Sequence, residues 1–157
     1  MANLIHAPDE IHDDFKPRVF LGGTIDNGDS PDWQSEVYDR FKHFDVTFLN
    51  PRRPNWSAQA DQIEIKRQIQ WELHALKTAD SVLIYFAPGS QSPISLLEMG
   101  IYVQSKKLVV CCPPKFYRYM NVKTTCEWFN AAFHESLDEA VAHAITKAVQ
   151  LKRNRES

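Results

Sequence analysis

Apolar residues cluster along this chain in short unbroken runs, and between those runs they recur at helical spacing. The runs RVFLG (residues 18–22), VTFLN (46–50), SVLIYF (81–86) and LVVCC (108–112) are five or six residues long and rich in β-branched or aromatic side chains. Runs of this kind, without alternation, are the mark of strands buried on both faces. Between them the spacing predicts helices at about residues 31–43, 61–78 and 93–105. A last helix is predicted at about 137–153, opened by Ser136 as N-cap with Glu139 three residues on, a capping box. Residues up to Asp14 are read as an added edge strand, and residues 113–135 as one short strand with a turn of helix. Strands that alternate with helices predict an α/β fold: a doubly wound, mostly parallel sheet of flavodoxin or Rossmann type with helices on both faces. Residues 1–157 are read as one such domain, without repeats, linkers or low-complexity tracts.

Open sheets of this kind bind ligands beyond the carboxyl ends of their strands. That rule selects the loops at residues 22–30, 51–60 and 87–92. The helix after the third loop starts well, with Ser92 as N-cap and Pro93 at the first helical position. It then reads as apolar nearly all round and is expected to be buried, with Gly100 letting another backbone come close. Within residues 81–105 only Glu98 is charged. An unpaired buried carboxylate costs several kcal/mol or takes up a proton, so Glu98 is either paired with a base from elsewhere in the fold or put to use. If used, it suits a nucleophile, and the helix N-terminus is expected to keep it ionised against the opposing effect of burial.

The preceding helix has Ile65, Ile69, Leu73 and Leu76 as its predicted core stripe, with Glu64, Gln68 and Glu72 on an adjacent stripe. Spacing alone makes that second stripe a solvated face and puts Glu72 at the pole away from the crevice. In the first loop, GGTIDNG, glycines let backbone N–H groups approach a ligand, and Thr24, Asp26 and Asn27 are placed for sugar hydroxyls. An Asx turn that satisfies only its own backbone explains the same residues. Trp33, Trp56 and Trp71 could stack a base or simply pack the core. The histidines show no metal spacing, and no Ser or Cys sits in a nucleophile elbow.

Composition narrows the ligand. With 43% hydrophobic and 24% charged residues and a net charge of −2, the chain is a globular protein without the basic surface that a nucleic-acid polymer demands. Arg52 and Arg53 are enough for a single phosphate. No apolar run approaches membrane-spanning length, and the first residues lack a signal-peptide pattern, so the expected location is cytoplasmic. Three cysteines, two of them adjacent in a predicted strand, suggest neither a disulfide framework nor a structural metal.

Taken in order, VFLGGTIDNG, LNPRR, WELHALKTADSVLIYF and SPISLLEMGIY resemble the nucleoside 2-deoxyribosyltransferase family, including its deoxynucleoside 5′-monophosphate N-glycosidase branch. The resemblance spans about residues 18–113. Its most specific element is Glu-x-Gly, here Glu98-Met99-Gly100. It implies that Glu98 is the nucleophile of a retaining transfer of 2-deoxyribose between bases, that Glu72 contributes a second carboxylate, and that no metal or redox cofactor takes part. In that mechanism Asp26 and Asn27 hold the sugar, Arg52 or Arg53 reaches the base or a phosphate, and Gly23, Thr24 and Ser92 complete the substrate-binding set. It also implies a homo-oligomer whose sites are completed across the interface. Two positions depart from the common family pattern: Phe20 replaces a tyrosine that orients the nucleophile, and Ser92 stands where many transferases have an aspartate and the glycosidase branch a serine. Base transfer, hydrolysis of a deoxynucleoside 5′-monophosphate and a catalytically silent nucleotide-binding module therefore all remain open.

Overall fold

The computed structural model describes residues 1–25, 30–54 and 61–157. Six strands form its sheet: β1 (Asn3–His6), β2 (Arg18–Gly23), β3 (Thr47–Asn50), β4 (Ser81–Tyr85), β5 (Leu108–Cys111) and β6 (Ala132–His134). Their order is β1-β3-β2-β4-β5-β6 and all neighbours run parallel. From β2 the chain winds one way to β3 and the other way to β4, β5 and β6, which is the doubly wound, flavodoxin-like arrangement. The reversal between β2 and β4 opens a crevice beyond their carboxyl ends.

Among the described residues five helices cover the sheet: α1 (Trp33–Phe41), α2 (Gln62–Thr78), α3 (Pro93–Tyr102), α4 (Tyr119–Phe129) and α5 (Leu137–Glu156). Alternate strand residues point to opposite faces and so build two cores. Phe20, Leu49, Val82, Ile84 and Val110 pack under α2, α3 and α4, whereas Val19, Leu21, Phe48, Leu83 and Val109 pack under α1 and α5. No helix among the described residues is long and apolar enough to cross a membrane.

Several local expectations are corrected. The core side of α2 is Trp71, Ala75 and Leu76, and the stripe Ile65, Ile69 and Leu73 is 41–49% exposed. On α3 the buried side is Ser95, Glu98 and Met99, with Ile94, Leu97 and Ile101 more than half exposed. A largely apolar sequence therefore does not bury this helix all round. A Cβ at Gly100 would meet no atom of the described residues, so none of their backbone crosses there. Asp32 caps α1 through the Ser35 N–H at 3.2 Å, which sets its start at Trp33. Ser136 is the N-cap of α5 but makes no side-chain cap bond, and Glu139 instead lies 3.9 Å from His134. Residues 113–135 hold the whole of α4 as well as β6.

Candidate active site

The loops after β2 and β4 are fastened together by Thr24. Its backbone N–H donates to the Tyr85 carbonyl at 3.0 Å, and its Oγ1 accepts the Ala87 N–H at 3.0 Å. The same hydroxyl lies 2.6 Å from Ser92 Oγ and 3.1 Å from Ser90 Oγ, and the two serine oxygens are 3.0 Å apart. All three residues are buried. Ser92 is the N-cap of α3 with Pro93 at its first turn, as expected, but it takes a left-handed conformation (φ 47°) and its hydroxyl joins this triangle and makes no side-chain cap bond to the helix. Gly23, at the end of β2, has φ 137°, a conformation that favours glycine, and a Cβ there would run into the Tyr85 backbone. The close approach of the two loops depends on that missing atom.

The third loop is tied in by Arg52. Its Nε donates to Gln34 Oε1 at 3.1 Å, Nη1 to the Ser30 carbonyl at 3.2 Å, and Nη2 to Ser30 Oγ at 2.8 Å and the Pro31 carbonyl at 3.1 Å. Asp32 completes the set with a carboxylate oxygen 3.5 Å from Nε. The guanidinium thus joins the β3 loop to the entry of α1.

Between these loops and the outer sides of α2 and α3 lies a cavity of about 580 Å³. Gly23, Thr24, Arg52, Arg53, Glu72, Ser92 and Glu98 all line it. Of the site residues read from the sequence, Asp26 and Asn27 lie outside the described residues, as does Trp56. Trp33 and Trp71 are core residues whose indoles donate to the Thr24 and Asp9 carbonyls. The cavity wall also contains Gln68 and the exposed aliphatic side chains of both helices, which spacing alone assigns to a solvated face and to the core.

Glu98 and Glu72 give the cavity its chemistry. Glu98 is 7% exposed, and no basic side chain of the described residues pairs with it. Burial, and then the charge of Glu72, push its carboxyl up to about 8. Burial likewise pushes Glu72 up to about 7, opposed by the Gln68 amide, whose Nε2 lies 3.4 Å from Glu72 Oε1. The expectation that the helix N-terminus would hold Glu98 ionised is therefore corrected. The dipole acts mainly within the first turn, and Glu98 lies beyond it. Glu72, expected at the far pole, instead shares the cavity, which α2 lines over two turns with Ile65, Gln68, Ile69, Glu72 and Leu73. Two acids that repel each other in an apolar cavity titrate as a pair, and both hold their protons more tightly than an ordinary glutamate.

A family model described as nucleoside 2-deoxyribosyltransferase like matches residues 16–116, well over half of the chain. The chain belongs to that family. In this nucleoside 2-deoxyribosyltransferase-like protein the matched segment runs from β2 through β5, and so includes every cavity-lining residue named above. A search among curated proteins found no match. Among solved structures, one described as a conserved protein from Enterococcus faecalis V583 is 12% identical, with a TM-score of 0.47, over 89% of this chain and 99% of that one.

Proposed function

We propose that this protein transfers a 2-deoxyribosyl group between nucleobases by double displacement with retention. A carboxylate oxygen of Glu98 attacks C1′ of a deoxynucleoside. The C1′–N bond breaks with its electron pair going to the base, and the base takes a proton from Glu72. The glutamyl–sugar ester then meets a second base. That base's nitrogen attacks C1′ and loses a proton to Glu72, and Glu98 is released as a carboxylate. The observation that carries this reading is the pair of partly desolvated acids that line one cavity. The first step needs Glu98 charged and Glu72 protonated; Glu98 alone holds its proton the more tightly, so it is the positive charge developing at C1′ that draws the negative charge onto Glu98 and leaves the proton with Glu72. The ionised Glu98 is poorly stabilised by its apolar surroundings, so its attraction to positive charge developing at C1′ is strongest in the transition state. No cofactor is needed.

The engagement of Arg52 with Ser30, Pro31, Gln34 and Asp32, and of Ser92 with Thr24 and Ser90, supports transfer over cleavage of a monophosphate, since two of the three phosphate candidates, Arg53 being the third, are already bonded within the fold. Incubation with deoxyinosine and free adenine tests the reading. Deoxyadenosine, together with a deoxyribosyl adduct on the peptide containing Glu98, is the expected outcome. Release of base without acceptor, and only from the 5′-monophosphate, would replace transfer by hydrolysis. A thermal shift without any release would leave a binding module.

The six exposed aliphatic side chains on α2 and α3 rim the cavity and support a second copy of the chain as the partner that closes it against water. Ile69→Asp combined with Leu97→Asp is expected to yield a folded monomer in sedimentation where the wild type is an oligomer, and to lower transfer relative to hydrolysis. A cytoplasmic location fits three free, buried cysteines.

A further inference from the structure

We infer that Gln68 is a positioning residue for Glu72, whose amide N–H occupies one carboxylate oxygen and so confines the transferable proton to the other. This rests on the reading of Glu72 as the acid that protonates the leaving base. Gln68 stands one turn before Glu72 on α2 and lines the same cavity. Its Nε2 donates to the Pro51 carbonyl at 2.8 Å and lies 3.4 Å from Glu72 Oε1. The Pro51 contact fixes the sense of the amide, because a turned amide would set its own carbonyl against that of Pro51. Glu72 Oε1 therefore always faces a donor. A proton on the same oxygen would weaken it as an acceptor, so the acid carries its proton on Oε2. In the cleavage step the Oε2–H bond breaks as the N–H bond of the departing base forms.

A second observation separates this role from helix packing. The Gln68 carbonyl oxygen is buried and finds no hydrogen-bond partner among the described residues. A buried acceptor left unmet costs stability, and an apolar side chain would fill the same half-buried position without that cost. Keeping a glutamine there makes sense when its other end, the amide nitrogen, has a task. The direction of the electrostatic effect agrees: a donor to the charged form favours ionisation of Glu72 and counters its burial.

The test compares the full-length wild type with Gln68→Met, which keeps length and helix propensity, and Gln68→Leu, which guards against an effect of the methionine itself. Carbon-13 NMR of glutamate-labelled protein follows the Glu72 carboxyl, assigned by its loss in Glu72→Gln. In both variants its titration midpoint is expected to rise by roughly half a pH unit or more, and kcat for base exchange to fall about tenfold with KM within about twofold. An unchanged midpoint, or a loss confined to KM, would overturn the assignment. If the wild type exchanges no base, the reading of the site as a transferase fails, while the titration still decides whether Gln68 governs Glu72.

Discussion

Glu98→Gln is expected to fold as the wild type does and to lose base exchange by roughly three orders of magnitude or more. The amide has nearly the shape of the carboxylic acid but cannot form the ester to C1′, and it carries no charge to offset the cationic sugar. The fold has little reason to object. Glu98 forms no ion pair among the described residues, and its carboxyl is already inclined to be neutral. Initial rates with deoxyinosine and adenine, with circular dichroism as the control for folding, measure this directly. Glu72→Gln is expected to be milder, about a hundredfold, because water can replace a lost general acid in part. Its pH dependence should also change: without the Glu72 charge the Glu98 carboxyl is easier to ionise, so the acidic limb of the rate profile moves to lower pH. A Glu98→Gln variant that keeps more than a tenth of wild-type activity would remove Glu98 as the nucleophile.

The second large effect is on stability. Both acids hold their protons more tightly in the folded chain than the ordinary glutamate value of 4.5. Between that value and about 8 the folded state thus binds more protons than the unfolded one, and linkage makes stability fall as pH rises. The contribution is fully present below pH 4.5 and gone once Glu98 ionises near 8. Urea melts are expected to show the wild type losing a few kcal/mol between pH 5 and pH 8, on the scale of about 1.4 kcal/mol for each tenfold gain in proton affinity on folding. Glu98→Gln should flatten most of that slope and be the more stable protein at pH 8. A slope unchanged by the substitution would mean that Glu98 is not the group taking up the proton.

The sheet was legible because its strands are parallel and buried on both faces, so their composition alone marks them, as in SVLIYF and LVVCC. Glu98 was legible for the opposite reason, as one charge in an apolar run. Burial of the helices was misread, since periodicity says which residues share a face but not what that face meets. Ile65, Ile69 and Leu73 are as apolar as core residues, yet they wall a cavity. The same limit hid Glu72, which spacing put with solvent, and Gln68, whose task depends on a contact with Pro51 far away in the chain. Ser92 followed every local rule for a helix cap, but a 2.6 Å contact with Thr24, formed only when two distant loops meet, gave its hydroxyl another partner. Gln68 does carry a sequence signal: it is a single amide between two acids, Glu64 and Glu72, at i, i+4 spacing.

The pairing of β2 with β4 also governs how the chain comes together. Between these neighbours the polypeptide must first make α1, β3 and α2. Closing so long a loop is slow and entropically costly, and no nascent chain can assemble the crevice before β4 has left the ribosome. During synthesis β2 therefore waits with the backbone N–H and C=O groups of one edge unpaired, open to misassociation until β4 arrives to close the seam.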